Sequence, residues 1–288
     1  MGYCIAFTAV WGLGTWQTSC AIAGNSMTTS VFKAKLEWDE NEAIMWNTII
    51  SSTAILGLMM GSFAGGPLIP YGRRKTVIIS MLICIFSVVI SMYVNEYVMA
   101  IGRFLLGLGA GIFNVAFGKL INETLPNSIM STFTMAHNFG ICSGFMMNYF
   151  LGAVLPDHED LEANKKDELW RVIWAFPAFI GIAEILLALF VMRSEPIAYC
   201  MMTGNHEEGK KHLKRVYRKK DPKSEETLED IATSHYNFLR KGTSMEATSV
   251  TFKEAACGRK YRKATWVCFF YNMFNQQTGM NAISIYAG

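Results

Sequence analysis

Apolar residues are gathered along this chain into seven long blocks, at 3–27, 44–66, 77–94, 98–121, 133–155, 172–192 and 264–288, separated by polar stretches. About twenty mainly apolar residues in helical geometry reach across the hydrocarbon of a bilayer, so each block predicts a membrane-spanning helix. The first block is longer than the apolar core of a secretory signal, has no Lys or Arg before it, and ends without an Ala-x-Ala cleavage site. It reads as a retained signal anchor. The pattern predicts an all-α polytopic membrane protein, with a six-helix bundle over 1–193, a polar linker over 194–263 and a seventh span over 264–288.

Composition agrees with a lipid environment. Apolar residues make up 51% of the 288 positions and charged residues only 17%, against roughly 25% charged in soluble domains. The net charge of +3 gives no footprint for nucleic acid, but the placement of the charges is informative. The turn after the second block holds Arg73, Arg74 and Lys75 without an acid, whereas the stretches after the first and fifth blocks are rich in acid. The 193–263 segment carries sixteen Lys or Arg against ten Asp or Glu. Basic loops stay cytoplasmic, so the N-terminus is predicted to be inside. A seven-helix signalling receptor would place its basic loops after the first, third and fifth spans, which this chain does not do. The seven cysteines lack any Cys-x-x-Cys spacing and mostly lie in apolar runs, where they act as small hydrophobes.

Within the basic segment, 207–219 and 225–238 predict two short amphipathic helices, parted by Asp221-Pro222 and followed by a loop over 242–249. Such helices serve either as surface cover or in gating.

Intramembrane charge costs roughly 2.5–3.5 kcal/mol at mid-helix on insertion scales, so each case needs a reason. Arg103 opens the fourth span, ahead of Gly107, Gly109 and Gly111, which are expected to thin one helix face for a close neighbour. Arg103 reads as a functional charge or as one that snorkels to the interface. Glu184 sits among Ile182, Ala183, Ile185 and Leu186 in the sixth span, either facing a central cavity or buried as a neutral acid. It is the candidate proton site. Uncharged polar residues cluster more densely: Asn275, Gln276, Gln277, Thr278 and Asn281 fall within seven positions of the last span. His137 and Asn138 stand in the fifth span and Gln17 in the first, beside Trp11 and Trp16. Amides and aromatic faces on an apolar wall are what sugar hydroxyls require, so these residues predict a polar cavity. No catalytic or phosphate-binding motif occurs, no Cys/His metal spacing is present, and no cofactor is implied.

These motifs fall in the order seen in the sugar porter family of the major facilitator superfamily, which the chain resembles over essentially its whole length. Gly72-Arg73-Arg74-Lys75 is similar to the family's turn between the second and third spans, Gly102-Arg103 to the opening of the fourth, and Glu123-x-x-Pro126 to its close. Gly140 and Gly144 follow the fifth-span pattern, with Asn138 where a sugar-binding Gln is usual. Trp170-Arg171 resembles the Trp-Arg that opens the sixth span, and Asn275-Gln276-Gln277-Thr278-Gly279-Met280-Asn281 resembles Gln-Gln-x-Ser/Thr-Gly-Ile-Asn. The resemblance implies a carrier for a monosaccharide, a hexose such as glucose, in the plasma membrane, with Asn138, Gln276 and Asn281 on the sugar and Asn275 replacing the first Gln. It also implies an inward-side latch of Arg73, Arg74, Arg103 and Glu123, with Glu195 near it.

The chain departs from the family pattern at several places. Ile69 and Pro70 replace the usual polar and basic pair, Met130 replaces an Arg, and the Pro-Glu-Ser-Pro-Arg signature is reduced to Arg193-Ser194-Glu195-Pro196-Ile197. A looser outward-open state is expected from these losses. Proton-coupled members pair an Asp of the first span with the fourth-span Arg. Gln17 aligns there and takes up no proton, which implies facilitated diffusion with Arg103 held by hydrogen bonds alone. The alternatives are proton symport through Glu184, and a sugar sensor or membrane subunit without flux. Family members have twelve spans in two halves. The C-terminal half-bundle needed for transport is expected to lie outside this sequence, which reads as a piece of a longer transporter.

Overall fold

A computed structural model describes residues 2–125, 127–156, 160–191, 195–196, 199–200, 203–205, 207–209, 211, 237, 258–259 and 262–277. Its helices are α1 (Gly2–Lys35), α2 (Glu40–Leu68), α3 (Arg73–Ser91), α4 (Glu96–Thr124), α5 (Asn127–Gly152), the short α6 (Leu161–Lys166), α7 (Trp170–Phe190) and α8 (Arg262–Gln277), with a 3-10 turn at Ile69–Tyr71. No strand occurs among the described residues. The two amphipathic helices expected in 207–238 lie almost entirely outside them.

Several helices outrun their apolar blocks. α1 continues eight residues past its block because its hydroxyls are satisfied inside the helix: Thr28 donates to the Gly24 carbonyl at 2.8 Å and Thr29 to that of Asn25 at 2.9 Å. The Asp39 N–H donates to Glu42 Oε2 at 3.1 Å, starting α2 before its first apolar residue. α4 begins where the Asn95 carboxamide accepts from the Tyr97 and Val98 N–H groups. Four helices, α2 with its 3-10 extension, α3, α4 and α7, are long and apolar enough to cross a membrane. α1 and α5, at 34 and 26 residues, have the length and carry more polar side chains.

Two hubs organise the bundle. α1 packs on α5 and α7, α4 packs on α2 and α3, and α3 meets α7. The arrangement about α4 repeats that about α1, in the manner of nested three-helix repeats. The seam between α2 and α4 is made of backbone: a Cβ on Gly57 or Gly61 would fall 2.1 Å from the Phe104 or Leu108 carbonyl oxygen, and one on Gly107 or Gly111 would fall 2.0 or 2.3 Å from that of Ala54 or Leu58. Only glycine permits that approach. The glycines of α4 do not share one face as expected. Gly109 is two residues from Gly107, about 200° around the helix, and lies against Cys84 and Ser80 of α3.

The interior has two apolar clusters. One gathers Phe7, Trp11, Met81, Phe113, Phe117 and Leu120 toward the Glu123 end of the bundle, and the other gathers Phe32, Trp38, Ile50, Met99, Trp170 and Trp174 toward the Asn95 end. Between them lies a polar belt with Gln17, Ser80, Ser87, Arg103 and Glu184, all buried. The outer surface is apolar, with Phe63, Phe86, Phe179 and Phe190 exposed, as suits contact with lipid.

Candidate functional site

At the Glu123 end the sequence dictates a tight turn. Pro67 and Pro70 close α2, and Gly72 holds φ +132°, which side chains with a Cβ seldom adopt. That turn aims two arginines at different targets. Arg73 makes a bidentate pair with Glu123, Nε to Oε2 at 2.7 Å and Nη2 to Oε1 at 2.9 Å, and its guanidinium lies 5.7 Å from the centre of the Tyr199 ring. Arg74 donates from its side chain to the Ala188 carbonyl near the end of α7, at 3.0 and 3.2 Å, while its backbone N–H donates to Glu195 Oε2 at 3.1 Å. The Glu195 carboxyl thus sits on the N-terminus of α3, where helix dipole and free N–H groups favour an anion. Burial pushes it above the usual carboxylate range, against the pull of the Arg74 and Lys75 N–H groups and charges. The ends of α3, α4 and α7 at this pole are therefore tied through Arg73, Arg74, Glu123 and Glu195. Where Ile69 and Pro70 remove family side chains, the Ile69 carbonyl accepts from Arg73 at 3.5 Å.

Arg103 is not part of this latch. It stands twenty residues from Glu123 on one continuous helix, about 30 Å away at 1.5 Å per residue. The resemblance grouped them in one latch, but they stand near opposite ends of α4. Arg103 is 3% exposed, donates to the Ala21 carbonyl, and stacks on Trp174 with its guanidinium 4.2 Å from the ring centre. Among the described residues it has no carboxylate partner. Its α1 neighbour is one turn beyond the position aligned from the sequence, so Ala21 stands where Gln17 was expected.

Gln17 is wholly buried in the α1–α7 seam, with its amide against Gly181, and is not on an open face. Glu184 is 1% exposed in the same seam. Asn138 is exposed, two residues from the Gly140 that meets Thr15 of α1, and so turned away from α1. Its neighbour His137 bonds Thr15 at 2.8 Å and stacks on Phe117, giving that stretch of α5 a fixed rotation. Asn275 and Gln276 lie in the last turn of α8, and Asn281 lies outside the described residues. The structure therefore brings Arg73, Arg74, Glu123 and Glu195 together without Arg103, sets Gln17 and Glu184 in one seam, and places Asn138 apart from both groups. Sequence reasoning missed Trp174 as the seat of Arg103, for which the Trp170-x-x-x-Trp174 spacing was a signal. It also missed a polar knot between α1 and α2, where Asn25 donates to Asn47 Oδ1 at 2.7 Å and to Ser51 at 3.1 Å.

The profile of the family described as "Sugar (and other) transporter" matches residues 3–288. The chain belongs to this family. It is similar to hexose transporter 1 of Plasmodium vivax, at 24% identity over 86% of this chain and 49% of that protein, and to hexose transporter 1 of Toxoplasma gondii, at 23% over 85% and 43%. It is also similar to the facilitated trehalose transporter Tret1 of Bombyx mori, at 23% over 96% and 48%. The chain spans about half the length of these curated relatives. Among solved structures, the partially occluded inward-open xylose transporter XylE from E. coli matches with TM-score 0.78 at 18% identity, over 99% of this chain and 66% of that one. This likeness shows the fold, and the family match with four helices long and apolar enough to cross a membrane shows an integral multi-pass membrane protein of a transporter family, which is not an enzyme class.

Proposed function

We propose that α1–α7 are the N-terminal half of a hexose carrier that works by alternating access and moves its sugar by facilitated diffusion. The observation that carries the choice of mode is the seat of Arg103, which is held by a carbonyl and an indole ring and not by a titratable side chain. The family, and relatives named for hexose and trehalose transport, support the sugar. The half-length match supports a partner half-bundle beyond the 264–288 span, with 194–263 as the linker. Asn138 from one half and Asn275, Gln276 and Asn281 from the other would then hold the sugar between them. The charge bias of the Arg73–Lys75 turn and of the 193–263 segment supports a cytoplasmic N-terminus, and the plasma membrane is the proposed location. In this orientation the Arg73–Glu123 pair closes the cytoplasmic side.

Uptake of labelled glucose into transport-null cells by the full-length protein tests this. Saturable uptake that ignores an imposed proton gradient, and falls with Asn138→Ala, is expected. Saturable binding without flux would replace the carrier with a sugar sensor, and uptake driven by the proton gradient would make it a symporter.

A further inference from the structure

In the seam between α1 and α7 stand two buried side chains whose terminal atoms all lack hydrogen-bond partners among the described residues: both carboxyl oxygens of Glu184 and both amide atoms of Gln17. The helices run antiparallel, and each of these side chains lies over a glycine of the other. A Cβ on Gly14 would fall 2.6 Å from Glu184 Oε2, and one on Gly181 would fall 2.5 Å from Gln17 Oε1. Gly14 and Gln17 are one turn apart on α1, as are Gly181 and Glu184 on α7, so the amide and the carboxyl are neighbours in a slot that the glycines leave open. α3 contributes the Cys84 thiol, within electrostatic reach of Glu184, and α4 contributes the Phe113 ring. Among the described residues, Arg103 is engaged with Ala21 and Trp174, ten residues or about 15 Å back along α7, and His137 of α5 with Thr15. A bare carboxylate buried here would have two acceptor oxygens and no cation beside it among the described residues, an arrangement that costs several kcal/mol. An un-ionised carboxyl has one donor and one acceptor, the complement of the amide's acceptor and donor.

We propose that Glu184 and Gln17 form a proton-binding site. A proton taken from solvent resides on Glu184, whose O–H donates to Gln17 Oε1 while its carbonyl oxygen accepts from Gln17 Nε2, and the pair ties α1 to α7. The site stands apart from the sugar reading. In a facilitative carrier it makes the proton a fixture and not a cargo.

Infrared spectroscopy of the lipid-reconstituted protein at neutral pH tests the site without requiring sugar to move. An un-ionised carboxylic acid gives a carbonyl stretch that shifts on deuteration. That band is expected in the native protein, absent in Glu184→Gln, whose amide copies the shape of the neutral acid and leaves the melting temperature nearly unchanged, and moved to higher frequency in Gln17→Leu. A native protein without the band, or a band that survives Glu184→Gln, overturns the site. A band unmoved by Gln17→Leu overturns the pairing.

Discussion

Arg73 and Glu123 meet with side chains only 6% and 15% exposed, through two short parallel hydrogen bonds. Removing one member of such a pair leaves a buried charge unmatched, at a cost of about 3–5 kcal/mol, whereas removing both costs much less. Arg73→Leu is expected to lower the melting temperature of the purified protein more than the Arg73→Leu/Glu123→Leu double variant does. Equal losses would show the two side chains to be uncoupled. Glu123→Lys sets two cations against each other and is expected to impair uptake, with Arg73→Glu restoring part of it. Normal transport by Glu123→Lys alone would dispose of the latch.

At the scale of helices, the α2–α4 seam is the least forgiving contact. A side chain at Gly107 would have to displace the backbone of α2, since its Cβ would fall 2.0 Å from the Ala54 carbonyl oxygen. Gly107→Leu should cost at least the 1–3 kcal/mol typical of overpacking and abolish a monodisperse folded species on size-exclusion chromatography. Gly118, on the same helix, has nothing within 4 Å of a would-be Cβ. Gly118→Ala should therefore be neutral or gain up to about 1 kcal/mol. The long helices were legible because lipid demands long apolar blocks, and four of them are long and apolar enough to cross a membrane, while the turn that aims Arg73 and Arg74 was legible because Gly72-Arg73-Arg74 is a local motif. Helix rotation was not legible. Whether Gln17 or Ala21 meets Arg103 is a one-turn offset along the axis, and whether Gly109 faces α2 or α3 is a rotational phase, and a mostly apolar block encodes neither. The resemblance put Arg103 in one latch with Glu123, but twenty residues of continuous helix hold the two about 30 Å apart.

Across the whole molecule, the pole opposite the latch is held by ion pairs at the surface. Lys165 of α6 reaches Glu37, and Lys35 at the end of α1 reaches Glu168 at 3.1 Å. The hydrogen bond and charge of Lys165 hold Glu37 below the usual carboxylate range, and the hydrogen bond from Lys35 does the same for Glu168, while Glu37 holds Lys165 above its usual value. Depressed acids lend their support above the unfolded carboxylate pKa of about 4.3 and lose it as pH falls through their lower folded values. Lys165, being raised, keeps its share until pH climbs past about 10.4. Hydrogen exchange in 161–168 is therefore expected to be flat through neutral pH and to quicken below about pH 4 relative to its intrinsic rate. A change centred near pH 7 would contradict the assignment.

A sugar molecule is uncharged, yet the conformational cycle of the proposed carrier need not be electrically silent. Arg103 brings a whole positive charge into the hydrocarbon layer with no anion beside it among the described residues. Each elementary charge carried through the full membrane field exchanges about 2.3 kcal/mol per 100 mV. Rocking of the half-bundle that shifts α4 along the membrane normal moves this charge through a fraction of the field. The rate of sugar exchange should then depend on membrane voltage although the cargo feels none, and Arg103→Gln should flatten that dependence.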